Sequence, residues 1–405
     1  MNCRTCNNTI NPFMSFDKMP IANGFLNENE FNDEFFFEMK TAFCDKCFTF
    51  QLVDQPDPKK MFHENYAFFS RQSKKMQEHF KKYADWVCEN YLFDKNDPFV
   101  IEIGSNDGIL LENFSKKKIK HLGIEPSANV AKEAQKHGVN TEIKFFNKDT
   151  ANEVVENYGK ASAILAANVM CHIPDLKNIA EATYLALDQN GVLIFEDPYL
   201  GDMIEKTSYD QIYDEHVYIF SAISIKNIFE KYGFELINLL PQSVHGGSMR
   251  YILAKKGSYK AEKIVDDFLA KEKKMGLDLP ETYEKFKKNC EKSRDDLIKI
   301  LNEEKKLNNR IVAYGATSKS TTILNYCKIG PELIEYISDT TPIKQNKFSP
   351  GMHIPVKSYE NFIARPPDTA LLFAWNHAEE IMEKEKQFSK NGGRWIVHVP
   401  IVKKF

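Results

Sequence analysis

Phe99-Val100-Ile101-Glu102-Ile103-Gly104-Ser105-Asn106-Asp107-Gly108 is an apolar, β-branched run broken by one acid and closed by two glycines. Such a run predicts a strand buried on both faces of a parallel sheet. Gly104 and Gly108 predict a sharp turn that passes close to a ligand, with a helix from about Ile109. A second strand, His121-Leu122-Gly123-Ile124, ends in Glu125. A dinucleotide fingerprint would read G-x-G-x-x-G, with a pyrophosphate at the helix N-terminus. Here the spacing is G-x-x-x-G, and the Asp107 carboxylate would repel a pyrophosphate, which argues against a dinucleotide.

The pairing of these two strands resembles the layout of a class I methyltransferase binding S-adenosylmethionine (SAM). Glu102 stands near the methionine end, and Glu125 can accept both ribose hydroxyls. Ser105, Asn106 and Pro126 flank these positions, and Tyr66 and Ser70 lie in a preceding segment expected to cover the cofactor. The alternation of strand and helix continues. Residues 142–146 read as a third strand ending at Asn147, where an adenine contact is expected. Ala161–Ala167 is a fourth, delivering Asn168 and His172, and residues 191–196 are a fifth. Ligands in open α/β sheets lie outside the carboxyl ends of the strands. Gly104, Glu125, Asn147, Asn168 and His172 are therefore expected around one crevice.

With 405 residues, two or three domains are expected. A net charge of -3 gives no electrostatic case for nucleic acid or an anionic membrane. The sequence holds no apolar run of eighteen residues, and Met1-Asn2-Cys3-Arg4 opens no signal peptide; a cytoplasmic protein is expected. Four of the eight cysteines form C-x2-C…C-x2-C, with 37 residues between Cys3/Cys6 and Cys44/Cys47. Two such knuckles complete a tetrahedral zinc site with no position left open, so the metal is expected to be structural. Redox-active thiols are the alternative, less suited to two pairs in one chain.

Tyr209-Asp210-Gln211-Ile212-Tyr213-Asp214-Glu215-His216-Val217-Tyr218-Ile219-Phe220 packs acids, phenols and an imidazole into a turn before a helix. A carboxylate beside an imidazole suits a general base near neutral pH, and tyrosine hydroxyls suit a developing oxyanion. Further on, His245-Gly246-Gly247-Ser248-Met249-Arg250 offers a phosphate-approaching backbone with Ser248 and Arg250 as donors. Residues 256–309 are lysine- and glutamate-rich and helical. A second strand–turn–helix begins at Arg310, with Thr317 and Lys319 in its turn. It lacks G-x-G-x-x-G, which weakens an NAD reading and suits a diphosphate better. Trp375 and Asn376 end a later strand as an aromatic platform and an amide.

Taken together, these motifs resemble the SAM-dependent C-methyltransferases that act on nucleotide-linked 3-keto (or 4-keto) deoxysugars. The likeness runs from the C-x-x-C module through Gly123-Ile124-Glu125-Pro126 and Gln211-Ile212-Tyr213-x-Glu215-His216. It continues through His245-Gly246-Gly247-Ser248-x-Arg250, Tyr314-Gly315-Ala316-Thr317, Pro350-Gly351-x-His353-Ile354-Pro355 and Ala374-Trp375-Asn376. The resemblance implies an α/β enzyme with a zinc-binding N-terminal module (1–60), a Rossmann-like SAM domain (61–255), a helical connector (256–309) and a Rossmann-like C-terminal domain (310–405). It also implies a sugar nucleotide held between the SAM and C-terminal domains. His216 falls on the family's base, Glu215 and Tyr213 on its partners, and His172 on a second active-site histidine. His245, Ser248, Arg250, Thr317, Lys319, Trp375 and Asn376 are assigned to the substrate side.

Some positions depart from the family pattern. Asp214 stands where the family often has histidine, and Ile219 where tyrosine is common. Tyr66-Ala67-Phe68-Phe69 lacks the extra proline and tyrosine often seen there. These departures are expected to line the sugar site, which leaves O-methylation of a sugar or sugar-linked acceptor, with His216 deprotonating a hydroxyl, as the alternative. A scaffold with a vestigial SAM fold and a nucleic-acid methyltransferase are weaker readings: Glu102, Gly104, Gly108 and Glu125 are intact, and no arginine cluster supplies a basic face. A monomer or weak dimer is expected.

Overall fold

The structure, a computed structural model, describes residues 1–62 and 69–405. Tyr66, expected to cover the cofactor, lies outside the described residues, as do Ala67 and Phe68.

Three sheets organise the chain. The central one has seven strands, ordered Phe234–Gln242, Ser248–Lys255, Leu187–Pro198, Ala161–Ala167, Phe99–Ile103, Lys120–Ile124 and Thr141–Glu142. The last five pair in parallel, and the hairpin at the other edge joins antiparallel. Phe99–Ile103 is buried throughout, as its apolar run predicts. Its alternating side chains divide between two cores, with Ile101 and Ile103 on one face and Val100 on the other. The sheet order reverses between this strand and Ala161–Ala167. That switch point opens a crevice between Gly104 and Asn168.

The third strand differs from expectation and covers only Thr141–Glu142. Ile143-Lys144-Phe145 mimics strand alternation, but it follows the outermost strand, which has a neighbour on one side only. The chain turns instead into helix Lys148–Tyr158. The Asn147 side chain caps this helix, accepting from Thr150 N at 2.9 Å.

The N-terminal sheet consists of antiparallel strands Pro12–Pro20, Phe36–Phe43 and Phe50–Leu52. Its fourth strand, Tyr218–Ile219, comes from the stretch just after His216. The C-terminal sheet is ordered Val356–Lys357, Ile337–Ser338, Ile311–Tyr314, Thr369–Leu372, Arg394–Val397 and Lys403–Lys404, parallel except at its last pair. Its switch point lies at the end of Ile311–Tyr314, before helix Ser318–Tyr326.

Two helices, Lys263–Lys274 and Pro280–Lys306, run between the central and C-terminal sheets. The longer begins with proline, at a position where no amide donor is needed. Its buried Tyr283, Phe286, Cys290, Leu297 and Leu301 form one stripe. That stripe enters a core shared with Met14 and Phe50 of the N-terminal sheet and Ile311 and Ala313 of the C-terminal sheet. Tyr209, Ile212 and Ile219 sit in the same core. The His216 loop is thus anchored by apolar contacts to the two outer sheets.

Candidate active site

A cavity of about 600 Å³ lies where the three sheets meet. Its first wall is the turn after Phe99–Ile103. Gly104 has φ +66°, and a Cβ there would stand 2.5 Å from Val169 Cγ2, so the turn has room only for glycine. Gly108 closes the same turn without lining the cavity. Glu125 is pinned by two main-chain donors, Asn106 N at 2.9 Å and Ser127 N at 2.8 Å. Burial raises its pKa, while these donors oppose the rise. Glu102 is 3% exposed, and its Oε2 has no hydrogen-bond partner among the described residues. Burial, then the Glu125 and Asp107 charges, push this carboxyl well above the usual range.

These features fit SAM. An orphaned acidic oxygen suits the cationic methionine end, the glycine turn admits the cofactor closely, and a fixed carboxylate suits a ribose diol. Ser70, Ser105, Pro126 and Asn168 also line the cavity. Ser70 N donates to Asn106 Oδ1 at 3.2 Å, bringing the segment before the first long helix over the turn. Asn147 does not line the cavity, because its side chain is committed to the helix cap. Phe145 and Phe146 stand there instead.

The second wall is the His216 loop. His216 Nδ1 donates to the Gln211 carbonyl at 2.7 Å. A carbonyl can only accept, so this contact fixes the tautomer and leaves Nε2 as the basic nitrogen. Tyr213 donates its hydroxyl to that nitrogen at 2.7 Å. Burial, followed by the neighbouring His172, keeps the imidazole pKa well below its ordinary value, so His216 rests neutral. The His172 ring stacks at 5.3 Å, and burial pushes its pKa down to about 3. Glu215 accepts from Asn23 Nδ2 at 2.8 Å. Cys171, His172 and His216 approach within 4.8 Å, but both ring nitrogens of His216 are already engaged, which argues against a metal there.

The third wall comes from the C-terminal sheet. Thr317 caps helix Ser318–Tyr326 through Ser320 N at 3.1 Å, and Asp339 accepts from Ala316 N at 2.6 Å. Lys319 donates to the His245 carbonyl at 2.9 Å, and Gln211 Nε2 reaches the same oxygen at 2.6 Å. His245, Thr317, Lys319 and Asn376 all line the cavity.

Three residues expected on the substrate side do not. Ser248 donates to the Val244 carbonyl at 3.2 Å. Arg250 pairs across the sheet with Glu196, Nε to Oε1 at 2.6 Å, and stacks over Tyr83. Trp375 Nε1 donates to Asp210 at 2.6 Å, and its ring fills the space a side chain at Gly246 would need. The three serve internal contacts. Asp214 and Ile219 are also absent from the cavity lining, contrary to expectation. Asp214 accepts from Ala22 N at 3.0 Å, and Ile219 pairs with Phe50. Asn23, Asp339 and Lys344 line the cavity and are not singled out by the sequence. The strand-end position of Asp339 is the one available signal.

Away from the cavity, the four cysteine sulfurs converge within 4.8 Å, with Cys3–Cys47 and Cys6–Cys44 each at 3.5 Å. Tetrahedral zinc at about 2.3 Å from each thiolate requires sulfurs about 3.8 Å apart, which these fit. Thr5, Thr49 and Gln51 reach the Cys3 and Cys47 sulfurs, a polar shell suited to thiolates.

Family models described as a zinc binding domain, a methyltransferase domain and a C-methyltransferase C-terminal domain match residues 3–62, 75–239 and 243–400. C-methyltransferase NovU of Streptomyces niveus is 30% identical over 401 residues, 98% of this chain and 95% of that protein. The chain belongs to the C-methyltransferase family. It is a SAM-dependent methyltransferase with a structural zinc module. Among solved structures, a SAM-dependent methyltransferase from Clostridium acetobutylicum is 13% identical with a TM-score of 0.35, covering 44% of this chain and 92% of that one. Magnesium protoporphyrin IX methyltransferase from Synechocystis, with bound SAH, is 16% identical with a TM-score of 0.34, covering 44% and 83%. Among the described residues, no helix is long and apolar enough to cross a membrane.

Proposed function

We propose that this C-methyltransferase acts on a nucleotide-linked keto deoxysugar, removing the proton α to the ketone and methylating the resulting enolate carbon. The observation that carries this reading is the Tyr213–His216–Gln211 chain of hydrogen bonds at the cavity wall. A carbon acid needs a neutral base with a lone pair on a fixed nitrogen, and His216 rests in that state.

SAM, when bound, supplies the electrophilic methyl group. As the α proton passes to the Tyr213 oxygen, the Tyr213 hydroxyl proton moves to His216 Nε2 and the C–H electrons pass toward the ketone oxygen. The Gln211 carbonyl keeps its grip on Nδ1–H throughout, so the ring does not turn. Burial disfavours the imidazolium, and the Glu215 carboxylate in the same cavity offsets that cost. Such positioned acid–base chemistry contributes about 10²–10⁴-fold to rate. The capped helix start at Thr317, with Lys319 and Asn376, supports a nucleotide diphosphate on the opposite wall.

The test is incubation with SAM and a panel of nucleotide-linked 3-keto and 4-keto deoxysugars, with product connectivity read by NMR. The expected product carries one new methyl group on the carbon beside the ketone. A methyl group on oxygen, or equal turnover of sugars lacking the nucleotide, would overturn the proposal.

A further inference from the structure

We propose that Asn23, on a loop of the zinc module, is a positioning residue of the methyl-transfer site: it holds Glu215 in its working orientation. The inference rests on the reading of Glu215 as partner to His216. Asn23 lines the cavity and donates Nδ2–H to Glu215 Oε1 at 2.8 Å. Its side chain is not needed to make the loop, which is closed by backbone bonds from Gly24 N to Ile21 O and from Phe25 N to Asn23 O, both at 3.0 Å.

The surrounding contacts fix the loop in place. Ala22 N donates to Asp214 at 3.0 Å, and the Ala22 carbonyl accepts from Thr321 Oγ1 of the C-terminal domain at 2.8 Å. On the other side of His216, Leu52 N donates to the Val217 carbonyl at 2.7 Å, and Phe50–Leu52 pairs with Tyr218–Ile219. The zinc module therefore grips the chain immediately before and immediately after Glu215-His216. An amide is suited to this position: it orients a carboxylate without neutralising it, whereas a lysine would cancel the charge that balances the imidazolium. Asp214, buried beside it, has its carboxyl pushed well above the usual range by burial and by Glu215.

The test is a double-mutant cycle in the full-length, zinc-loaded enzyme, with Asn23→Ala, Glu215→Gln and the pair together. Loss of a donor to a charged acceptor predicts a fall in kcat of about 10- to 100-fold in Asn23→Ala. Zinc content and SAM affinity stay at wild-type values, and Asn23→Ser, which keeps a donor, recovers part of the rate. In the Glu215→Gln background, Asn23→Ala costs less than about threefold, because the two residues act as one unit. A wild-type kcat in Asn23→Ala would overturn the proposal, as would an equal loss in both backgrounds. Loss of zinc in both Asn23 variants would also overturn it, by assigning the residue to module folding. A wild-type rate in Glu215→Gln alone would sink the underlying assignment of Glu215, an outcome separable from the others.

Discussion

The indole of Trp375 donates to the Asp210 carboxylate at 2.6 Å, across 165 residues of sequence. The bond ties the C-terminal sheet to the loop that carries His216. Asp210 stands beside Gln211, whose carbonyl orients His216. Burial works against the Asp210 charge, but His398, Lys319 and Trp375 together hold its pKa below the usual value. Trp375→Phe keeps most of the ring and deletes one donor. We expect kcat to fall about 10- to 100-fold with SAM affinity unchanged, read by steady-state kinetics and calorimetry.

The cofactor turn gives a prediction of opposite character. Gly104→Ala places a methyl group against Val169 in a left-handed conformation that L side chains rarely adopt. SAM affinity should fall at least about tenfold, the combined result of backbone strain and a displaced turn. The four-cysteine site should keep its zinc. Titration with SAM and metal analysis of the same sample check both halves.

Metal removal should separate binding from turnover. Zinc contributes directly to folding in small metal modules, and here the module's strand Phe50–Leu52 supports Tyr218–Ile219. Chelation, or Cys44→Ser, should abolish methyl transfer while SAM binding persists, because none of the zinc ligands lines the cavity. Parallel loss of both would contradict this division.

The pH dependence follows from the buried imidazole. A base whose pKa is lowered stays unprotonated to lower pH, so its rate loss begins further toward acid. Burial and His172 lower the His216 pKa. The acid limb of kcat should therefore lie below the ordinary histidine value of about 6.5. A limb at or above that value would show that the working base is not held in this environment.

Much of the fold is legible in the sequence because it depends on local pattern. The buried run Phe99–Ile103, its glycine turn and the acid at Glu125 are neighbours in sequence or one strand apart, and the cysteine spacing identifies its own geometry. The errors lie where partners are remote. Arg250 reads as a phosphate donor until the register sets it opposite Glu196. Trp375 reads as a platform until its indole is found bonded to Asp210. Asp214 and Ile219 share the loop with Tyr213 and Glu215, but they are tied to the zinc module instead. Asn23 carries no local signal, being a polar loop residue whose partner is 192 positions away.

The proposed chemistry turns on one step, deprotonation α to a ketone with His216 as the base, before the methyl group moves. That step is read by hydrogen exchange into a nucleotide-linked keto deoxysugar in deuterated water, with SAH occupying the cofactor site so that transfer cannot follow. The wild-type enzyme should label the α carbon, and His216→Asn should slow labelling by about 10²–10⁴-fold. Labelling at the wild-type rate in His216→Asn, or none in a wild-type enzyme that methylates the same sugar, would contradict the role given to His216.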